Sequence, residues 1–332
     1  KGQSMNKLKL SLGCWDYDRM QALIDGRVTA RGIDLNFLNM IVEETFFRML
    51  RHQEFDVCEM SMSSYTVSLS KPERPFIAIP IFPSRFFRHS SIYVNANAGI
   101  HKPQDLIGKR IGTPEFQMTA PVWIRGILDE HYGVPVDSVT YLTGGEESPN
   151  RVEKLKLSLP ARIKIECIGP DQTLAQMLVS GEIDALHTAR KPSTFDGVTV
   201  KRLFPNFVEV EQAYFDQTGI FPIMHVIAIK RDVYEKNRWI AMNLFQAFRE
   251  AQKLCYEGLQ ETAALKGMLP WFNAHVEDTI AKMGHDFWPY GVEKNRKTLE
   301  TFLRYHHESG LSQNRLRVEN MFAPETLEEF VI

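Results

Sequence analysis

The stretch Pro83–Val94, PSRFFRHSSIYV, sets Arg85, Arg88 and His89 among Phe86, Phe87 and Tyr93. A guanidinium forks onto a carboxylate or phosphate through two parallel hydrogen bonds. An imidazole carries a proton that exchanges near neutral pH. Aromatic faces stack on planar guests. The combination fits a nucleic acid or a small aromatic acid, and the charge balance separates the two. The 332-residue chain has a formal net charge of −2, whereas a nucleic-acid binder carries a basic excess to displace counterions. The positive charge is therefore local, and no nucleic-acid partner is expected. In an extended chain Arg85, Phe87 and His89 face one side and Phe86, Arg88 and Ser90 the other, so only part of the cluster addresses a ligand. One arginine and His89 are expected there.

Other chemistry-bearing residues fall at strand ends and helix starts. Ser61, Ser63 and Ser64, in SMSSYT, follow a short strand; they read equally as caps of the next helix and as an anion site, since both uses need free N–H groups at a helix start. In GTPEFQMTAPVWIRG (Gly112–Gly126) a strand ends, a polar turn follows, and Thr119 opens a helix with Pro121 in its first turn. Thr119 is placed to hold a carboxylate; Arg125 lies near the site or on the surface. His187, Thr188 and Arg190 lie at or just past the end of a second short strand, and His225 opens another, in PIMHVIAIKRD. A lone strand histidine is ordinarily a structural residue, but His89 and His225 sit at the two places where the chain is expected to cross between lobes. No zinc-protease, nucleophile-elbow or phosphate-loop motif occurs, and no acidic cluster has metal-ligand spacing.

The elements that hold these residues repeat. RMLRHQEFDVCEMS (Arg48–Ser61) aligns without gaps on QMLVSGEIDALHTA (Gln176–Ala189), matching Met49 to Met177, Leu50 to Leu178, Glu54 to Glu182 and Asp56 to Asp184. Each copy reads as helix, polar turn and strand, at Val57–Met60 and Ala185–Thr188, which predicts an α/β fold with two lobes of similar construction. Further strands are expected at Leu8–Leu12, Ile33–Leu38, Phe76–Ile81, Ile92–Val94, Arg110–Gly112, Val139–Leu142 and His225–Ile229. Helices are expected at Tyr17–Ile24, Ala120–Glu130 and Trp239–Tyr256. Strands cease after Ile229, so the C-terminal third packs on sheet already made. This predicts a discontinuous first lobe, residues 5–92 plus 225–332, and an inserted second lobe, residues 93–224. The chain then crosses near Ser91 and Met224, with a ligand cleft between lobes at the carboxyl ends of strands.

No apolar run approaches the ~18 residues of a membrane span. Met5 reads as the native start and Lys1–Ser4 as a tag remnant, although a tag can also replace a removed export signal. The four cysteines are scattered without metal-ligand spacing, which reads as reduced thiols in a cytoplasmic protein. The C-terminal helices fit either a homo-oligomer interface or a lid on the first lobe.

The segments FFRHSSIYVN, GTPEFQMTAPVWIRGIL, TGGEE, GIFPIMHVIAIKRD, DFWPYG, NRKTLETFLRYHHESGL and ENMFAPETLEEF resemble the 4,5-dihydroxyphthalate decarboxylase family, over about Leu8 to Phe330. The resemblance implies a two-lobed fold of the type 2 periplasmic binding protein kind. It also implies non-oxidative loss of CO2 from a small hydroxylated aromatic acid, with a solute-binding protein feeding a transporter as the alternative. The segment SPNRVEKLKLSLPARIKIECIGPDQTL departs from the family pattern, which leaves Arg151 and Arg162 unassigned.

Such a reaction needs cations for carboxylates, a proton donor over the ring and an acceptor for a phenol proton. Arg85, Arg88, Arg125 and Arg190 are the cationic candidates, Ser63 and Thr119 the hydroxyl ones, and His89 and His225 the proton donors. A drier pocket for the departing carboxylate is expected from Phe86, Phe116, Trp15 or Trp288. No organic cofactor is expected; a divalent metal bridging the phenol oxygens is compatible, with no ligands nominated.

Overall fold

A computed structural model of the protein describes residues 6–328; the reading of Met5 as native start lies outside them, as do the outermost residues of the expected first lobe. The strands form two mixed sheets. The first contains β1 (Leu8–Cys14), β2 (Ile33–Asn39), β3 (Val57–Ser61), β4 (Phe76–Ile79) and β11 (His225–Lys230) in the order β2-β1-β3-β11-β4. The second contains β5 (Ile92–Asn95), β6 (Arg110–Thr113), β7 (Thr140–Thr143), β8 (Lys164–Cys167), β9 (Ala185–His187) and β10 (Val200–Arg202) in the order β10-β5-β9-β6-β7-β8. The α-helices are α1 (Gln21–Ile24), α2 (Val42–His52), α3 (Met62–Leu69), α4 (Thr119–Tyr132), α5 (Leu174–Ser180), α6 (Phe207–Thr218), α7 (Arg231–Lys236), α8 (Ile240–Leu259), α9 (Phe272–Met283) and α10 (Arg296–Glu308).

The repeated segments occupy matching positions. β3 runs parallel to β1 and antiparallel to β11, and β9 runs parallel to β6 and antiparallel to β5. Their matched aspartates do the same work. Asp56 Oδ2 accepts from Ser11 N–H on β1 at 2.8 Å, and Asp184 Oδ2 accepts from Arg110 N–H on β6 at 2.8 Å. Each carboxylate pins the start of the repeat strand to its parallel neighbour.

The chain passes from the first sheet to the second between β4 and β5 and returns between α6 and β11. The two crossings run side by side: Phe86 N–H donates to Pro222 O (3.1 Å), and Met224 N–H to Ser84 O (2.8 Å). Of the C-terminal helices, α8 packs against α1, whereas α10 lies on α4, beside the second sheet. The ring of Tyr305 on α10 comes so close to Gly126 on α4 that a Cβ there would fall 2.1 Å from it. Trp123 of α4 packs its ring against Phe302 and Tyr305. α10, grouped with the first lobe in the sequence reading, thus also packs against a helix beside the second sheet. Among the described residues no helix is long and apolar enough to cross a membrane.

Candidate active site

The two repeat strands end toward each other, and a cavity lies where they meet. From the first sheet it receives Ser61 at the end of β3, Ser64 in α3, His225 at the start of β11, and Glu43 and Phe46 of α2. The other wall comes from the second sheet's side, with Thr119 at the start of α4, Ala189 just after β9, and Glu115, Arg151 and Lys154 from loops.

Side-chain alternation explains the first wall. Ser61 lies opposite His225 in register and Glu59 opposite Ile227, so Glu59, Ser61 and His225 share one face of the sheet. Glu59 is fully buried, yet its carboxylate is well supplied with donors. His225 Nδ1 lies 2.6 Å from Oε2, Tyr17 O–H donates at 2.5 Å, and Trp15 N–H donates at 3.2 Å. Burial alone pushes the Glu59 carboxyl up; the charge and hydrogen bonds of His225, with those of Tyr17 and Trp15, outweigh it and hold the group below the usual carboxylate range. Phe46 stands edge-on to the imidazole, with centroids 4.8 Å apart. With Nδ1 engaged, Nε2 is the nitrogen left to exchange a proton with a guest.

Two helix starts converge beside the imidazole. Ser61 Oγ caps α3, accepting from Ser64 N–H at 3.3 Å, and lies 2.8 Å from Thr119 Oγ1 across the cleft. Thr119 Oγ1 also accepts from Ser63 N–H at 3.1 Å, and Ser64 O–H donates to Gln117 Oε1 at 2.7 Å. Thr119 and Ala120, the first two residues of α4, line the cavity; N–H groups at a helix start have no intrahelical partner, and such a start is a favourable place for a carboxylate.

The arginines of the opening stretch divide. Arg88 lines the cavity. Its Nη1 donates to Ala189 O at 3.0 Å and its guanidinium lies 4.2 Å from the centre of the Phe86 ring. Burial pulls its pKa down to about 10, so it stays charged at neutral pH. Arg85 is not a cleft residue. Its guanidinium donates to Phe221 O (2.9 Å), Pro289 O (2.6 Å) and the Asn295 side chain, bracing the crossing against the loop before α10. Arg125 is likewise buried away from the cavity. It donates to Phe116 O at 2.8 Å and lies 3.8 Å from the centre of the Phe116 ring, supporting the loop before α4 from behind. Phe116 itself is buried against Tyr141 and does not face a guest. Arg190 is exposed and reaches across the cleft to Glu43.

His89 also turns away. It is packed among Phe204, Tyr214 and Tyr132, neither ring nitrogen has a partner among the described residues, and burial pulls its pKa down to about 4. An imidazole so placed has no route for a proton. Ser63 contributes its N–H rather than its hydroxyl, which is unpartnered. His187, the counterpart of Glu59 in the repeat, is buried with both nitrogens unpartnered among the described residues, and Thr188 O–H donates to Glu146. The apolar wall is made by Val42, Phe46, Met118 and Met224, in place of the expected Phe86, Phe116, Trp15 or Trp288.

Sequence reasoning misses the acids. Glu115 is buried yet ionised: burial pushes its carboxyl up, and Lys154 and Arg151 together hold it below the usual range. It accepts from Lys154 N–H at 2.6 Å, Arg151 Nη2 at 2.8 Å and the Lys154 ammonium. Glu153, one residue before Lys154, accepts from Phe116 N–H; burial, then the nearby Glu115, pushes its carboxyl up to about 7. The detectable signal for Glu59 is an acid inside an otherwise buried strand, two residues before Ser61. Among the described residues no group of three or more His, Cys, Asp or Glu side chains is arranged to hold a metal ion.

No family model matches the chain. It is 40% identical over 330 residues to a 4,5-dihydroxyphthalate decarboxylase of Comamonas testosteroni, covering 99% of this chain and 100% of that one. It is 47% identical over 191 residues to a 4,5-dihydroxyphthalate decarboxylase of Pseudomonas putida, covering 58% of this chain and 74% of the other. Among solved structures, the periplasmic sulfonate-binding protein SsuA of Methylobacillus flagellatus KT superposes with a TM-score of 0.50 at 13% identity, over 97% of this chain and 93% of that one. The fold is thus periplasmic-binding-protein-like, and the sequence relationship is closer and runs the length of the protein. The chain belongs to the 4,5-dihydroxyphthalate decarboxylase family.

Proposed function

We propose that the protein is a carboxy-lyase that converts 4,5-dihydroxyphthalate to protocatechuate and CO2 in the cavity between the two sheets. The observation that carries the mechanism is the Glu59–His225 pair, an imidazole fixed through Nδ1 with its other nitrogen free for a guest. Capture of an anion alone has no use for it.

Direct loss of CO2 from an aromatic ring leaves an aryl carbanion, which is too unstable to form freely. Each carboxylate of 4,5-dihydroxyphthalate has a hydroxyl para to it, and this opens a second route. His225 delivers a proton to the ring carbon that bears the departing carboxylate, while the para oxygen pushes electron density into the ring. The C–CO2 bond then breaks, its electron pair restores aromaticity, and protocatechuate remains. Overall the dianion takes up one proton and yields a monoanion and neutral CO2.

Since neutral CO2 departs, strong contacts belong on the carboxylate that stays. Arg88, together with the first N–H groups and the Thr119 hydroxyl of α4, supplies them. The departing carboxylate lies against the apolar wall of Val42, Phe46, Met118 and Met224, where loss of its charge is favoured. The route needs no organic cofactor or metal, a reading tested by whether turnover survives exhaustive chelation. We place the reaction in the cytoplasm, in keeping with four free thiols, Cys14, Cys58, Cys167 and Cys255.

The deciding experiment incubates the purified protein with 4,5-dihydroxyphthalate and follows CO2 and protocatechuate. Formation of both in equal amounts is expected. Tight binding without turnover would instead mark a solute-binding protein.

A further inference from the structure

One carboxylate oxygen of a cavity-lining acid has no hydrogen-bond donor among the described residues. Glu43, in the first turn of α2, lines the same cavity as His225. Its Oε1 accepts from Arg190, which follows β9 on the opposite wall, and its Oε2 is buried with no hydrogen-bond partner among the described residues. Glu43 and Phe46 are three residues apart on α2 and so share a helix face. Phe46 is the ring that stands against His225. The helix that seats the imidazole therefore also carries the unpartnered oxygen.

We propose that Glu43 accepts a ring hydroxyl of the substrate, and so selects hydroxylated phthalates over unsubstituted ones and takes the phenol proton during turnover. The proposal deepens the decarboxylase reading and rests on it for the turnover step. A buried acceptor without a donor is costly, and the guest must supply what the protein does not. The carboxylates of the guest are repelled by Glu43 and drawn to Arg88 and the start of α4. Its O–H groups, on the opposite edge of the ring, are the donors that remain. The other acid of the cavity cannot do this, because Glu115 is already filled by Arg151 and Lys154. Burial pushes the Glu43 carboxyl up, but its own backbone N–H, then Arg190 and Arg151, outweigh this and hold it below the usual carboxylate range, and Arg190 reaches it from the far wall.

The proton bookkeeping closes. As His225 protonates the ring carbon, the para O–H electron pair moves toward the ring and its proton passes to Glu43 Oε2. When the C–CO2 bond breaks, its electron pair returns the ring to aromaticity, and the oxygen takes the proton back from Glu43. His225 is reprotonated from water. Glu43 is unchanged over the cycle, and the sum is one proton consumed and one CO2 released.

The test uses two ligands that differ only in hydroxyls and have no second carboxylate to lose: protocatechuate and benzoate. Their dissociation constants are measured by calorimetry on the full chain, wild type and Glu43→Leu, which removes the acceptor at similar size. Wild type should prefer protocatechuate, and Glu43→Leu should lose at least ~10-fold of that preference while benzoate binding changes less than ~2-fold. Glu43→Gln, which keeps the shape, should lower kcat on 4,5-dihydroxyphthalate by more than ~30-fold. An unchanged ligand preference in a folded Glu43→Leu protein overturns the role of Glu43 even where wild type decarboxylates. A collapsed preference without turnover in wild type upholds hydroxyl recognition while the decarboxylase reading falls.

Discussion

Glu59 Oε2 and His225 Nδ1 lie 2.6 Å apart on the diagonal between two antiparallel strands, β3 and β11. Neither side chain has freedom to leave. The carboxylate is fully buried and also receives Tyr17 and the Trp15 N–H, and the imidazole is braced by Phe46. A base oriented by a second group, with its other nitrogen toward the guest, is the arrangement that proton transfer asks for. Ser61, on the same sheet face, links this pair to the start of α4 through Thr119. The proposed proton donor and carboxylate clamp are thus linked across the cleft.

Removing the imidazole should therefore abolish most turnover while leaving binding. His225→Ala is expected to lower kcat by more than ~100-fold, and Glu59→Gln, which loosens the orientation but keeps an acceptor, by at least ~10-fold. Both should change KM far less than kcat, as expected for groups that act mainly in the transition state. Initial rates of protocatechuate formation check this. A near-normal kcat in His225→Ala would remove the proton donor from the mechanism.

The two neighbouring arginines should fail in different ways. Arg88 lines the cavity, so Arg88→Lys, which keeps charge but loses the fork, should raise KM by ~10-fold or more. Arg85→Lys should leave KM nearly unchanged and lower the melting temperature, since a single ammonium cannot match the Phe221, Pro289 and Asn295 acceptors as the planar fork does. Steady-state kinetics and thermal unfolding on the same two preparations separate the cases. An Arg85 variant with a raised KM and an unmoved melting temperature would contradict the assignment.

The division between those arginines shows where sequence reading stops. Alternation along Pro83–Val94 places Arg85 and Arg88 on opposite sides, but which side is the cleft depends on groups 136 and 210 residues away in the chain, Phe221 and Asn295. The central strands are legible because they are apolar runs bounded by turn residues, and the matched aspartates of the repeat mark their starts. β8 and β10 are not legible. They are the two edges of the second sheet, and exposed or half-exposed residues such as Lys164, Glu166 and Lys201 leave no apolar face to give a period. Thr119 and His225 stand out because a helix start and a strand start are visible in the sequence. Glu43 does not, since an acid in the first turn of a helix is ordinary. Glu59 interrupts a buried strand, a polar residue that burial would reject without a partner, and the partner becomes evident only once β11 is laid beside β3.

His89 should prove dispensable for chemistry. His89→Leu is expected to keep kcat within ~3-fold, because the ring is enclosed by Phe204, Tyr214 and Tyr132 and neither nitrogen has a hydrogen-bond partner. The substitution should also change the pH dependence of stability. The folded pKa is depressed to about 4 from an ordinary 6.5, so between those values the unfolded chain binds a proton that the folded one does not. Wild-type stability falls as pH drops through that window. Melting temperatures of His89→Leu should exceed those of wild type increasingly as pH falls from 6.5 to 4; parallel curves would show that the histidine is not buried neutral.

Glu153 should give the opposite slope. Its carboxyl is pushed up to about 7 by burial and by Glu115, one carboxylate oxygen is unpartnered, and the other holds the Phe116 N–H. An acid whose folded pKa lies above its unfolded value imposes no penalty at low pH. As pH rises past the ordinary glutamate value the unfolded chain ionises first, so stability declines until the folded group also ionises near pH 7, then levels. The accumulated cost is on the order of 3 kcal/mol. Glu153→Gln keeps an oxygen for Phe116 N–H and never ionises, so it should match wild type near pH 4 and melt several degrees higher at pH 8. Phe116 lies in the loop that leads into α4, and Thr119 starts that helix, so the same comparison tests the site. If relief of strain at Glu153 leaves KM unchanged at pH 8, the loop is rigid; a KM that falls together with the gain in stability shows that ionised Glu153 loosens the carboxylate clamp.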